Sequence, residues 1–262
     1  MGYKTSMKNW EGLAQNDALW SILTDKKKKG EKWNKQKFYT SGEQEVSDIL
    51  GYISGQGIKS KDHEHALDFG CGAGRISRAL ASRFKKVTGV DASPTMLHLA
   101  REENQDMKRK LQFVLNQEED LRQFPDNSFS ITFSVITLQH IPQAQSLGFI
   151  AEFVRLIKPG GLAIFQVPTE DVRQLNFLQR IRTALRIRER LALLGIGKGF
   201  QMDMHPISED MITETILNAG GEVKLAVNTN QTEPDYNGHV KFLKDNEPAS
   251  GYLSRLFVVG KS

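Results

Sequence analysis

The sequence lacks the residues and runs on which several classes of protein depend. Its 262 residues include a single cysteine, Cys71. A lone cysteine excludes both a disulfide framework and a zinc site built on cysteine pairs, and it is typical of a reducing compartment. No apolar run is long enough to cross a bilayer, and no N-terminal stretch resembles a signal peptide. We therefore expect a soluble cytoplasmic protein without a transmembrane segment.

The excess of positive charge is small, with 35 basic and 31 acidic residues and a formal net charge of +4. The basic residues concentrate in Lys26–Lys29 and in the segment from Arg173 to Arg190. Lysine runs of this length are usually solvated loops, so the charge does not indicate a nucleic-acid partner. The sequence carries no information on the oligomeric state.

Short apolar runs alternate with helical patterns along most of the chain. Seven runs predict strands, at Ala66–Phe69, Val87–Val90, Leu111–Leu115, Phe129–Ile136, Leu162–Val167, Val223–Val227 and Leu253–Val259. Strands that alternate with crossover helices form a mostly parallel sheet with helices on both faces. The predicted fold class is therefore α/β with a seven-stranded, mostly parallel sheet.

The pattern divides the chain into a main domain and two additions. Residues 1–60 are expected to form an N-terminal helical cap, with helices over 17–23 and 43–53 and Ser41 as the N-cap of the second. Residues 61–168 and 207–262 are expected to form the main domain. Residues 169–206 do not continue the alternation of strands and helices, and we interpret them as an inserted helical lid that carries Arg173 and Arg180.

A turn rich in glycine follows the first predicted strand and organises the rest of the chain. It runs Asp68-Phe69-Gly70-Cys71-Gly72-Ala73-Gly74, so that glycines alternate with single residues. Glycine takes positive φ readily and lets a ligand approach the backbone. A second apolar run ends at Asp91, and this strand-turn-helix-strand unit with a terminal acid is typical of a nucleotide site. We therefore expect a cofactor at this turn.

The spacing of the glycines favours one kind of nucleotide. A dinucleotide site uses G-x-G-x-x-G and leaves a helix N-terminus open to pyrophosphate. Here the third glycine comes one residue early, and Asp68 precedes the first. A carboxylate there repels phosphate and attracts a ligand with a positive end, such as S-adenosylmethionine, while Asp91 can accept both ribose hydroxyls. A nicotinamide-dependent dehydrogenase is therefore the weaker alternative.

Several further motifs accompany the glycine turn. They are the strand-end Asp91, Pro-Asp-Asn-Ser-Phe at 125–129, Leu-Gln-His-Ile at 138–141 and Leu-Ile-Lys-Pro-Gly-Gly at 156–161. In this combination the sequence resembles the class I S-adenosylmethionine-dependent methyltransferases, in the small-molecule branch similar to types 11 and 12. The resemblance covers residues 64–170 well and 207–260 more loosely. It implies a Rossmann-like three-layer sandwich whose last strand is antiparallel, with S-adenosylmethionine as cofactor and S-adenosylhomocysteine as product.

The same resemblance implies roles for individual residues. The methionine moiety would lie against Gly70, Cys71 and Gly72; the ribose and adenine would lie against Asp91, Ala92, Asn116, Gln117 and Glu118; and the amino group of the cofactor would face the carbonyls of Ser134 and Val135. The predicted contact set also includes Asp68, Gly74, Arg75, Ser93 and Met96, with Trp33, Phe38, Tyr39 and Gly42 as cover. Gln117 and Ser130 stand where the family often has acids, and a glutamine carbonyl still accepts a hydrogen bond from adenine.

The implied reaction is an in-line displacement. A nucleophilic oxygen or nitrogen of a small molecule, or of a glycan- or lipid-linked acceptor, takes the methyl group, and alignment and exclusion of water supply the acceleration. His140 is the candidate base for a hydroxyl acceptor, although a histidine there equally suits holding the loop by hydrogen bonds. The basic lid could recognise an anionic acceptor, and the alternative is that its basic residues form an exposed, solvated helix face. No metal site is expected, because the histidines lack ligand spacing with acids. An RNA methyltransferase and a non-catalytic cofactor-binding module are the alternatives.

Overall fold

The computed structural model describes residues 2–173, 202–233, 236–244, 247 and 251–261. Its helices are α1 Tyr3–Ile22, α2 Lys35–Gly55, α3 Arg75–Ala81, α4 Pro94–Glu103, α5 Gln143–Leu156 and α6 Glu209–Asn218. Its strands are β1 His65–Phe69, β2 Lys86–Asp91, β3 Leu111–Leu115, β4 Phe129–Ser134, β5 Ile157–Asp171, β6 Glu222–Thr229, β7 Phe242–Leu243 and β8 Tyr252–Gly260. Short 3₁₀ turns lie at Lys26–Lys28, Gln105–Met107 and Leu138–His140.

All the strands join one sheet in the order β3-β2-β1-β4-β5-β8-β6-β7. Strands β1 to β5 are parallel, and β8 runs antiparallel between β5 and β6. The predicted α/β class and the antiparallel last strand are confirmed. The predicted count of seven strands is wrong by one, because β7 pairs its two residues with Asn228 and Thr229 of β6. Two residues are too short a run to show a strand period in the sequence.

Side chains that alternate along the strands feed two separate cores, one on each face of the sheet. Ile164 and Val258 pack in the core that α2 and α3 cover. Their neighbours Phe165 and Phe257 belong to the core that α5 and α6 cover. This period of two is the expected signature of a sheet buried on both faces. The three-layer arrangement places the carboxyl ends of the parallel strands at a common edge.

The two N-terminal helices begin earlier than the sequence patterns predict. Helix α1 starts at Tyr3 and bends at Asp17, whose backbone is non-helical and whose carboxylate accepts hydrogen bonds from Gly30 N and Glu31 N at 2.7 and 3.1 Å. Helix α2 starts at Lys35, after the N-cap Asn34. Ser41, the predicted N-cap, is wrong in that role. It lies inside α2, where its hydroxyl bonds back to the chain, as serine can in a helix.

The predicted lid is described only at its two ends. Strand β5 continues to Asp171, and residues 174–201, with Arg180, lie outside the described residues. Arg173 forms an ion pair with Asp171 at 2.6 Å, and its guanidinium lies 4.6 Å from the ring centroid of Tyr252. Within the described ranges, no helix has the length and apolar character to cross a membrane.

The close contact between α2 and α3 predicts that alanine at Gly42 destabilises the protein, although alanine usually stabilises a helix relative to glycine. Replacing a helical glycine by alanine usually stabilises by about 0.5–1 kcal/mol. A Cβ on Gly42 would lie 2.5 Å from the carbonyl oxygen of Arg75, whereas a Cβ on Gly51 meets nothing within 4 Å. We expect Gly42→Ala to lower the free energy of unfolding by roughly 1–3 kcal/mol through overpacking. Gly51→Ala, the control in the same helix, should raise it. Urea unfolding measures both, and equal gains would contradict the close approach.

Candidate active site

A cavity lies at the carboxyl ends of β1, β2 and β4, between the sheet edge and α1. It holds about 1010 Å³ of free space, counting its open mouth. The structure brings together at this cavity most of the predicted site residues, namely Asp68, Gly70, Cys71, Gly72, Arg75, Asp91, Ala92, Ser93, Met96, Asn116, Val135 and His140.

The glycine turn forms one wall of the cavity. Gly70 and Gly72 have φ angles of 74° and 50°, in the left-handed region that the sequence predicts for them. A Cβ on Gly70 would lie 2.2 Å from the Thr137 side chain. The amides of Gly70 and Cys71 both donate to the Val90 carbonyl, at 2.8 and 3.0 Å. The turn is therefore bonded to the neighbouring strand and closely packed against the loop after β4.

Two carboxylates, the buried Asp68 and the half-buried Asp91, face the cavity beside this turn. Asp91 accepts hydrogen bonds from Gly72 N and Ser93 N at 2.8 and 2.9 Å. Asp68 accepts one from Ser77 Oγ at 2.6 Å. Burial raises the pKa of both acids, that of Asp68 to about 7, although the hydrogen bonds oppose the shift. Neither acid has an ion-pair partner in the described part of the chain, so a ligand with a positive charge would be stabilised here.

The cation nearest to these acids is already paired. Arg75 is buried and forms an ion pair with the buried Glu45, its Nη2 lying 2.5 Å from Glu45 Oε2. Its Nε, also buried, has no hydrogen-bond partner in the structure. The Phe38 ring packs against this guanidinium, with 6.0 Å from the ring centroid to Cζ. Arg75 therefore keeps one buried donor without a partner, and its charge is directed to Glu45.

Some predicted residues do not line the cavity. Gly74 is the N-cap of α3, and Ser134 donates to the Phe69 carbonyl at 3.1 Å. The Gln117 side chain donates to the Ala92 carbonyl at 3.2 Å. The others that stand away from the cavity wall are Glu118, Trp33, Phe38, Tyr39 and Gly42. Cofactor contacts by these residues stay predictions.

The opposite wall comes from α1, which the sequence patterns did not place at the site. Its cavity-lining residues are Tyr3, Ser6, Met7, Trp10, Ser21 and Ile22. The first four lie at positions i, i+3, i+4 and i+7, which is the spacing of one helix face and is the signal that could have identified them. The Trp10 ring lies 4.7 Å from the His140 ring, between centroids. Aromatic and aliphatic side chains of one helix thus cover the cavity.

A carboxylate fastens α1 to the start of α4. Glu11 accepts hydrogen bonds from Ser93 Oγ at 2.6 Å and from Thr95 Oγ1 at 2.5 Å. Burial opposes ionisation of Glu11, but these hydrogen bonds outweigh it and lower the pKa. A negative charge at a helix N-terminus is also favourable. Because Ser93 and Met96 line the cavity, this contact holds α1 against the cavity wall.

Both ring nitrogens of His140 are hydrogen-bonded. Nδ1 lies 2.8 Å from the carbonyl oxygen of Asp203, and Nε2 lies 3.0 Å from the side-chain nitrogen of Gln139. Ser6 Oγ donates to the His140 carbonyl at 2.9 Å. Burial lowers the pKa of His140 to about 4. The ring is therefore neutral near pH 7, and it joins the loop after β4 to α1 and to the segment before α6.

A mostly parallel sheet with an acid-flanked glycine turn at its carboxyl edge defines a Rossmann-like α/β protein with a nucleoside site. Residues 67–165 match a family described as methyltransferase domain. Over these residues the chain is similar to methyltransferase domains, and the resemblance predicted from the sequence is confirmed there.

Two named methyltransferases are similar to part of the chain. A ubiquinone biosynthesis O-methyltransferase of Hydrogenovibrio crunogenus is 32% identical over 108 residues, which cover 41% of this chain and 44% of the relative. A demethylmenaquinone methyltransferase of Tropheryma whipplei is 37% identical over 98 residues, 37% of this chain and 39% of the relative. The chain thus spans less than half the length of these relatives.

A solved structure extends the likeness in fold. An S-adenosylmethionine-dependent methyltransferase of Leishmania major matches with a TM-score of 0.61 at 13% identity, over 98% of this chain and 82% of that one. At this identity the match supports the fold alone. It agrees with the predicted Rossmann-like architecture.

The contact between Glu11 and α4 predicts how firmly α1 closes the cavity. Hydrogen bonds to a charged group contribute about 1.5–3 kcal/mol, so Glu11→Ala should accelerate amide hydrogen exchange in α1 by at least roughly tenfold. Thr5→Ala, at an exposed position of the same helix, is the control and should leave exchange unchanged. Hydrogen exchange followed by mass spectrometry resolves the α1 peptides. Equal protection in both variants would show that Glu11 does not hold the helix.

Proposed function

We propose that this protein transfers a methyl group from S-adenosylmethionine to an oxygen or nitrogen nucleophile of a small, largely apolar molecule. The observation that carries the proposal is one cavity with two unlike walls. On one wall lie the buried Asp68 and the half-buried Asp91, neither with an ion-pair partner among the described residues, and α1 supplies an aromatic and aliphatic wall opposite. A sulfonium nucleoside suits the first wall and an apolar acceptor the second.

The cofactor has a matching group for each polar feature of the glycine-turn wall. Its ammonium group is the cation for Asp68, and its ribose hydroxyls are donors for Asp91. Both acids carry raised pKa values in the empty cavity because burial opposes their charge. Ionisation of the acids would therefore be favoured by the ligand itself.

The acceptor is inferred from the other wall. Tyr3, Met7, Trp10, Ile136 and Ile141 line that side of the cavity. The anionic acceptor expected from the basic lid is supported mainly by residues outside the described ranges, and Arg173 is paired with Asp171. The described wall favours a neutral aromatic or aliphatic molecule. An oxygen nucleophile is favoured because the Hydrogenovibrio relative is named an O-methyltransferase.

Bond changes in the proposed reaction balance without a further reactant. The acceptor oxygen forms a bond to the methyl carbon as the carbon–sulfur bond breaks, and the bonding electrons stay on sulfur as neutral S-adenosylhomocysteine. The hydroxyl proton passes to Nε2 of the neutral His140 and then to water. Most of the acceleration comes from alignment in a cavity that α1 shields from water.

Cofactor binding is the first test. Calorimetry should show heat with S-adenosylhomocysteine and none with NAD. Asp91→Ala should weaken that affinity by about 10–100-fold, because it removes a charged hydrogen-bond acceptor. Methyl transfer from labelled S-adenosylmethionine is then screened against neutral hydroxyaromatic molecules and their carboxylated counterparts. Transfer only to the carboxylated set would contradict an apolar acceptor, and binding without any transfer would favour a binding module.

The raised pKa of Asp68 predicts how affinity depends on pH. An ammonium ligand prefers the ionised acid, and the pKa of Asp68 in the empty cavity is about 7. Affinity for S-adenosylhomocysteine should therefore fall as pH decreases from about 8 to about 6, by up to roughly tenfold per unit below the pKa. Asp68→Asn should bind weakly and without this slope. A slope that persists in Asp68→Asn would assign the titration to another group.

A further inference from the structure

A chain of hydrogen bonds runs from the loop after β4 to the segment before α6. The amide of Ile136 donates to Gln166 Oε1 at 2.9 Å, and Gln166 Nε2 donates to Gln139 Oε1 at 3.3 Å. The Gln139 nitrogen then meets His140 Nε2, and His140 Nδ1 meets the Asp203 carbonyl. The side chains of Gln139 and Gln166 are buried, so water does not substitute for these bonds.

The two ends of this chain set its direction. A backbone amide can only donate, and a backbone carbonyl can only accept. Starting from Ile136 N, each glutamine must therefore accept with its oxygen and donate with its nitrogen. His140 must accept at Nε2 and donate from Nδ1 to Asp203. Rotating either amide by half a turn would place donor against donor, so one tautomer of His140 is selected.

Both cavity-facing residues of the chain depend on the two glutamines. Ile136 and His140 line the cavity, whereas Gln139 and Gln166 stand behind them. Ile136 has a φ of 54°, which is unusual for a β-branched residue and must be held by its surroundings. Gln166 Oε1 is the group that accepts its amide hydrogen.

We propose that Gln139 and Gln166 are positioning residues for the methyl acceptor, because they keep His140 neutral with its proton on Nδ1 and fix the turn at Ile136. Nε2 is then the unprotonated ring nitrogen, which accepts a hydrogen bond from the Gln139 amide. A hydroxyl or amine of the acceptor would take the place of that amide. This inference rests on the proposed function for its role in transfer, but the selected tautomer is a property of the empty protein.

The environment of His140 makes its proton state a clean readout. His205 is the titratable group that acts on its charge, through a modest repulsion, and Asp203 contributes its backbone carbonyl. From α1, Ser6 and Trp10 contact His140 and do not titrate. A change in the Gln139 amide should therefore appear directly in the His140 ring.

Nitrogen-15 NMR of the full-length protein with labelled histidine tests the proposal without an acceptor. The six histidine signals are assigned with a His140→Asn variant. Wild-type His140 should show a protonated Nδ1 and an unprotonated Nε2 at neutral pH. In Gln139→Met and Gln166→Met the two tautomers should mix, and Gln139→Glu should raise the pKa of His140, since a carboxylate stabilises the charged ring.

Ser254→Ala is the matched control, because it removes the other hydrogen bond of Gln166 Nε2, at 3.0 Å, and leaves the link to Gln139 intact. It should keep the wild-type histidine spectrum. Affinity for S-adenosylhomocysteine should change less than about twofold in the folded glutamine variants, while the rate of transfer at saturating cofactor falls. A His140 signal unchanged in both Gln139→Met and Gln139→Glu would overturn the proposal. Absence of cofactor binding in the wild type would instead contradict the proposed function.

Discussion

The attachment of the glycine turn to the end of β2 is the contact on which the site depends. Val90 supplies its carbonyl to two turn amides, and Asp91 supplies its carboxylate to Gly72. These bonds bring an acid and a bare backbone to the same place, since β1 and β2 are parallel neighbours. The cost is desolvation of two carboxylates, the buried Asp68 and the half-buried Asp91, whose pKa values it raises. A cationic ligand would lower that cost, which is the electrostatic basis of the proposed cofactor site.

The opposite wall of the cavity, formed by α1, is held in place by different contacts. Helix α1 contributes apolar side chains, and it is held by few polar contacts, chiefly those of Glu11 and Ser6. The cavity wall formed by the sheet is fixed by strand pairing, whereas the wall formed by α1 depends on side-chain packing. Trp10 and Ile22 belong to this second wall.

Local features were predictable from the sequence and tertiary ones were not. The strand-helix alternation and the turn from Asp68 to Gly74 follow from patterns within a few residues of each other. The wall formed by Tyr3 and Trp10 was missed because its partner lies more than a hundred residues away, at His140. The roles of Gln139 and Gln166 depend on which strand lies beside β4. Asn34 displaced Ser41 as the cap of α2 because packing against α3 extends that helix by two turns.

Several buried polar side chains at the sheet edge form one hydrogen-bond network, in which the donors and acceptors have a fixed direction. Gln166 has two amide hydrogens; one is directed at Gln139 and the other at Ser254. Ser254 and Thr229 share a hydrogen bond, Thr229 donates to Gln231, and Gln231 donates to Glu45, which can only accept. Each branch thus ends at an obligate acceptor. Because Glu45 also holds Arg75, the two ends of the cavity are joined through side chains whose donors cannot be reversed separately. Reversing one member of this network would leave its neighbours without partners, so one arrangement of the cavity wall is strongly preferred.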